Sequence, residues 1–312
     1  DATSLSGHDL ILQANDYMDL TADVTIGSLQ IEVDGHLGVS GGPSYTITAN
    51  GKDSSNYTFN LDGTLDDDNM LNLTVIYAGA TNVDVEPQTT NYIRNLTIND
   101  ASCVATLQRN LIVKDKINII NGELNCGSSN IVSELANLEI HKTNTAAKLD
   151  YGTNTVTCGR LGESNGGVGK IEGTGDAIAG TGGKIIVQKT GNLRIIDLGS
   201  TAVFTGTVVL EYNGNNTGAV SQDFRPSSGT FDLIVNCDNT TDTVLCNAST
   251  NNINNLLITK GIFNPNSSDL TVAAQTQVGD GSSAAGTAAL YCGSSTLSLG
   301  ASYTSSYALR VR

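Results

Sequence analysis

A short strand-forming phrase recurs along this chain at a nearly constant interval, and that interval limits the fold more than any other feature of the 312 residues. The phrase opens with Asn and continues with alternating inward and outward positions. It appears as Asn72-Leu73-Thr74-Val75, Asn95-Leu96-Thr97-Ile98 and Asn118-Ile119-Ile120-Asn121, whose starts are 23 residues apart. Further copies begin at Asn137, Asn192, Asp232 and Asn255; the last two are again 23 apart, and the distances from Asn95 to Asn137 (42) and from Asn192 to Asp232 (40) approximate two intervals each. A second phrase marks corners. NGELNCGSSNIV at 121–132, KGIFNPNSSDLT at 260–271 and DGHLGVSGGPSYTIT at 34–48 each carry a Gly followed two positions later by Leu or Phe, then small polar residues and a short apolar strand.

This period is too short for a propeller blade and matches one coil of a stacked-strand repeat. It predicts an all-β fold, a parallel β-solenoid (β-helix) with coils of about 20–23 residues. In-register stacking places Leu73, Leu96 and Ile119 in one column and lets each Asn bond to its counterpart in the next coil. A single coil exposes its apolar face. Burying a few aliphatic side chains per coil, at about 1.5–3 kcal/mol each, must offset the ordering entropy of about twenty residues, which only a stack of many coils achieves.

Composition agrees. Charged residues reach 15%, against about 25% in an ordinary soluble domain, and Asn, Thr, Ser and 34 Gly fill the difference. Val, Ile and Thr are plentiful, favouring strands joined by turns. Residues 1–65 follow the rhythm loosely and are expected to form an N-terminal β region or cap, with the solenoid over 66–312. The Gly-rich run GESNGGVGKIEGTGDAIAGTGG near 162–183 is expected to be an irregular insertion.

Six cysteines, Cys103, Cys126, Cys158, Cys237, Cys246 and Cys292, contain no Cys-x-x-Cys pair, and His8, His36 and His141 are scattered, so zinc-ligand spacing is absent. The chain begins DATSL without Met, which reads as a processed N-terminus and places the protein outside the cell or on its surface, its export signal removed. In that setting the even count predicts disulfides. Cys103 and Cys126 share the 23-residue interval, which predicts a staple between neighbouring coils, since coil spacing of about 4.8 Å suits disulfide geometry. Cys237 and Cys246 would close a local loop, leaving Cys158 with Cys292. Asn-x-Ser/Thr sequons make Asn56, Asn72, Asn95, Asn215, Asn239, Asn247 and Asn266 candidate glycosylation sites.

The phrases NLTIND at Asn95, ANLEIHKTN at Ala136 and NNLLITKGIFNPNSSDLTV at Asn254 resemble the repeats of exported bacterial β-helix surface proteins and adhesin-like modules. The likeness covers patches between residues 70 and 275 and implies an exposed solenoid.

Motifs for chemistry are sparse. Gly169-Lys170 and Gly183-Lys184 end in Gly-Lys, but Ile follows each Lys where a phosphate-binding loop requires Ser or Thr. The run Asp62, Asp66, Asp67 and Asp68 offers oxygen ligands for Ca²⁺, the only cofactor the sequence suggests, without EF-hand spacing. Carboxylates such as Asp197 and Glu211, or Glu139 beside His141, would serve glycan hydrolysis only if stacking aligned them. No catalytic residue is therefore assigned.

The net charge of −15 disfavours nucleic acid and anionic membrane as partners. No run approaches the roughly 18 apolar residues of a membrane helix, and the best candidate, Thr205–Leu210, is only strand length. The lysines and arginines form no patch; Lys114 and Lys116 near Arg109 are the densest group. The leading expectation is a non-enzymatic extracellular structural or adhesive protein: a filament, appendage or surface-coat subunit, partnered by itself through end-to-end stacking and by glycans. The alternative is a glycan-binding or glycan-depolymerising β-helix of the phage tailspike kind, or a virion structural protein.

Overall fold

A computed structural model describes residues 6–39, 44–65, 71–85, 93–132, 136–162, 167–188, 195–214, 219–246, 250–266, 268–279, 288–292, 296–299 and 309–311. Among them there is no helix: the chain is all-β, its parallel strands stacked as a β-solenoid of about ten turns. It divides into two compact units, Asp1–Asp150 and Tyr151–Arg312.

In the first unit two inward columns run through successive coils. One is Val24, Ile47, Leu73, Leu96, Ile117 and Leu138; the other is Ile26, Ala49, Val75, Ile98, Ile119 and Ile140. Stacked partners are separated by 23, 26, 23, 21 and 21 residues. Every member of both columns is buried. Alternation explains this: Leu71–Val75 reads buried, intermediate, buried, intermediate, buried, so the phrase turns its apolar positions inward and its Asn and Thr outward.

The expected column of Leu73, Leu96 and Ile119 is corrected at its third member. Leu96 stacks on Ile117, and Ile119 belongs to the neighbouring column over Ile98. The register slips at a corner. Between inward Ile93 and Leu96 lie two outward residues, Arg94 and Asn95; between inward Val113 and Ile117 lie three, Lys114, Asp115 and Lys116. These five polar residues, two in one coil and three in the next, cannot enter an apolar core without large desolvation cost, so the chain turns there and absorbs the extra residue as a bulge.

In the second unit the corresponding column is Val156, Ile185, Leu210, Leu233, Leu256 and Thr276, followed by Leu309. The expected pairing of Asp232-Leu233 with Asn255-Leu256 holds, since Leu233 stacks on Leu256. Coil length is less even here, from 20 residues (Leu256 to Thr276) to 33 (Thr276 to Leu309).

The Gly-rich run is more ordered than expected. Residues 163–166 lie outside the described residues, but Lys170–Asp176 is a strand paired in parallel with Val203–Tyr212. Gly173 leaves room for the buried Tyr151 ring, whose hydroxyl accepts a hydrogen bond from the Val209 N–H at 2.9 Å. Gly175–Asp176 then pairs antiparallel with Thr181–Gly182. The hairpin so formed lays Ala177 and Ile178 over an outward apolar stripe of Val209, Ile234 and Leu257. That cover buries both faces of the strand: Val208–Tyr212 and Phe231–Val235 are each five consecutive buried residues.

The disulfide expectations are corrected as well: all six cysteines are free thiols in this structure. The register that slips at Lys114 slips further beyond Asn99, where Val104 pairs with Glu123 and Thr106 with Asn125. Cys126 therefore lines up with Leu107, four residues or about 13 Å along the strand from Cys103, well beyond the reach of a disulfide. Cys103 instead faces Gly122. Cys158 stacks on Val187, Cys246 on Gln222, and Cys237 packs against Gly261. Cys292 is half-buried.

Candidate functional site

The polar corner of the first unit lines a groove of about 510 Å³. One wall is a column of outward side chains, Asn72, Asn95, Lys116 and Asn137, one from each of four successive coils. Asn95 Nδ2 donates to Asn72 Oδ1 at 2.6 Å, the amide ladder that the repeated Asn predicts. Lys116 and Asn137 continue it, where the sequence reading placed Asn118; Asn118 pairs with Thr97 and Glu139 instead. Asn137 Oδ1 is enclosed without a hydrogen-bond partner.

Cations form the other side of the groove. Arg94 Nε lies 2.5 Å from Asp115 Oδ2, and its Nη1 donates to Ser44 Oγ. Lys116 Nζ reaches Glu139 Oε2 at 3.0 Å, and Lys114 lies beside them on the exposed face. Arg94, Lys114 and Lys116 thus stand at the groove together with Asp115, and Glu139 lies against Lys116. Sequence reasoning missed Arg94, Asp115 and Ser44 because it grouped Lys114 and Lys116 with Arg109. Arg109 is committed elsewhere, to Asp62 at 2.6 Å and Asp84 at 2.9 Å. The usable signal was the interval itself: counting about one coil back from Lys114 arrives at Arg94.

The other candidate residues lie apart from this groove. Asp62 belongs to the Arg109 ion pairs, while Asp66, Asp67 and Asp68 lie outside the described residues, so the Ca²⁺ expectation stays with the sequence. Among the described residues no group of three or more metal-ligating side chains converges. Glu211, almost fully buried, accepts from Lys184 Nζ at 2.6 Å and Asn236 Nδ2 at 2.9 Å. Asp197 faces Asp223 in the next coil, and Arg225 grips Asp223 with two nitrogens, Nε at 2.7 Å. Asp197 and Glu211 are thus not rung partners, for Glu211 stacks between Ile186 and Ile234.

Of the sequons, Asn56 and Asn266 sit exposed in left-handed turns (φ 72° and 51°), Asn239 is exposed and bonded to Asp242, and Asn72 and Asn95 are bonded to each other. Asn215 and Asn247 lie outside the described residues.

No family model, curated protein or solved structure gives a significant match to this chain.

The groove presents amide, hydroxyl, carboxylate, guanidinium and ammonium groups. Amide N–H and C=O groups at successive rungs suit hydroxyls, and guanidinium and ammonium groups suit an anionic oxygen. Its walls are strands locked by buried columns on their inner side, so the polar groups are held in place before any ligand arrives.

Proposed function

We propose that this chain is an extracellular structural and adhesive protein, non-enzymatic, which presents the corner groove of its first unit to glycans. The observation that carries this reading is the outward column Asn72, Asn95, Lys116 and Asn137, a row of hydrogen-bonding groups at regular rung spacing on a rigid wall. The carboxylates flagged as candidates for hydrolysis support it too. Glu211 is engaged by Lys184 and Asn236, and Glu139 by Lys116, so these side chains brace one coil against the next. The resemblance to bacterial β-helix surface proteins points the same way. Self-association belongs to the same proposal, since parallel strand edges with near-identical chemistry in each coil can pair between copies.

A glycan array probed with the purified protein tests the adhesive part, with a reducing-end assay on each bound glycan alongside. Binding without release of new reducing ends is the expected result. Release of reducing ends would favour the depolymerising alternative, and a blank array would overturn the glycan reading. Negative-stain electron microscopy of concentrated protein tests self-association: end-to-end rods are expected, and monomers alone would count against it.

A further inference from the structure

Four successive coils place Thr in one outward column, Thr25, Thr48, Thr74 and Thr97, and no bulge interrupts the pairing between them. Two residues back on the last three of these strands, Thr46, Asn72 and Asn95 form a parallel column. From this array we infer that the first unit adsorbs to the surface of ice.

The array is held in place before it meets anything. Each Thr of the first column lies between two buried residues: Val24 and Ile26, Ile47 and Ala49, Leu73 and Val75, Leu96 and Ile98. Those anchors fix the strand, and a β-branched side chain has little freedom left at χ1. All four Thr are half-buried, so their outer ends reach solvent. Among the described residues no protein group hydrogen-bonds to their hydroxyls, whereas the buried hydroxyls of Thr58 and Thr81 bond each other. The second column is tied along its length, where Asn95 Nδ2 donates to Asn72 Oδ1 at 2.6 Å.

Spacing and charge select the occupant. Rungs repeat at about 4.8 Å, and outward neighbours on one strand at about 6.7 Å. Oxygen rows on a prism face of ice repeat at comparable distances in two perpendicular directions. Threonine offers such a face a hydroxyl that joins its hydrogen-bond net and a methyl group that fills its hollows. Charge complementarity points the same way, because every side chain of both columns is uncharged, as the ice lattice is. The next two rungs bring Asn118 and then Glu139, engaged by Lys116, so the uncharged array ends there. A lone hydroxyl gains little from one liquid water, since immobilising that water costs entropy. Water in ice is already ordered, so that cost falls away and the whole preorganised array acts at once.

Ice grains annealed just below melting in sucrose solution, with and without the purified chain, read the effect: the grains should stay small when the chain is present. Fluorescently tagged chain should coat a growing single crystal of ice. Thr74→Tyr keeps a strand-favouring residue but raises a ring above the centre of the array, and should abolish both effects. Thr243→Tyr, at a half-buried position on a strand of the second unit, should leave both unchanged. A melting curve for each variant separates lost adsorption from lost folding; if Thr74→Tyr unfolds, Thr48→Gln decides in its place. Normal grain growth and a bare crystal in the presence of the folded wild-type chain overturn the inference. Inhibition that survives in Thr74→Tyr, or that is lost equally in Thr243→Tyr, overturns its placement on this column. Either failure leaves the glycan reading of the groove standing, because saccharide binding is measured separately.

Discussion

Gly122 rests against Cys103 of the preceding coil: a methyl group on its α-carbon would lie 3.1 Å from Cys103 Cβ and 2.9 Å from the Cys103 carbonyl oxygen. Gly261 stands in the same relation to Cys237, 2.9 Å from Cβ and 2.8 Å from Sγ. Both glycines are left-handed, at φ 89° and 94°. At these two corners the phrase therefore needs its Gly twice over, for the backbone angle and for the close approach of the preceding coil, whose Asp100 carbonyl oxygen also meets a methyl on Gly122.

Replacing Gly122 or Gly261 with Ala should cost about 1–3 kcal/mol from backbone strain alone, plus the clash. Gly180→Ala is the control, because Gly180 is also left-handed (φ 67°) yet has nothing within 4 Å of an added methyl. Urea denaturation should rank both corner variants well below Gly180→Ala. Equal losses at all three sites would show that the close approach of the preceding coil contributes nothing.

The thiols should behave as core residues. Cys103, Cys126, Cys158, Cys237 and Cys246 are buried, and burial pushes the first four up to about 12. Thiolate is the reactive form, so native protein treated with iodoacetamide at neutral pH should be labelled at Cys292 and at the buried five only after denaturation. Mass spectrometry of peptides reads this directly; rapid native labelling of Cys103 or Cys126 would contradict the packing.

The same shifts make stability fall in alkali. An unfolded thiol loses its proton above about 8.5, whereas the folded ones keep theirs to about 12. Over that window the unfolded chain binds fewer protons, so stability decreases as pH rises, by up to about 1.4 kcal/mol per pH unit for each thiol. Melting temperatures measured between pH 8 and 11 should drop, and Cys126→Ala and Cys158→Ala should each flatten the slope. A slope unchanged in both variants would assign the effect to other groups.

Asp232 ties the covering hairpin to the stack. This fully buried carboxylate accepts from the Ala177 N–H at 3.1 Å, from Asn254 Nδ2 at 3.0 Å, and from the Asn255 N–H and Nδ2 at 3.1 and 3.0 Å. Asp232→Ala should cost about 3 kcal/mol or more, because several charge-assisted bonds vanish and buried donors are left over. Hydrogen exchange should show the Ala177 amide losing protection more than amides of the Leu71–Val75 strand in the first unit. Uniform loss of protection would mean that the hairpin is held by apolar contact alone.

Much of the architecture was legible because solenoid coils repeat their chemistry. The alternation in Leu71–Val75 and the 23-residue step from Asn72 to Asn95 are properties of adjacent residues and of one interval, and both appear unchanged in the folded chain. The groove was harder to see. Its cations come from two coils, and their meeting depends on how many residues each coil spends at its corner.

That division marks what the amino-acid order settled alone. It determined an all-β stack with Asn outward and Leu, Ile and Val inward, because a strand's two faces alternate and apolar side chains leave water together. Only the tertiary structure decided the phase of each coil on the next. Two outward residues after Ile93 and three after Val113 shift the register and seat Ile117 on Leu96 with Arg94 beside Asp115, and a separate slip between Asn99 and Val104 carries Cys126 away from Cys103. A corner can hold a variable number of polar residues at little cost, since they point into solvent. The spacing of like residues along the chain therefore predicts that coils stack, but not which residue meets which.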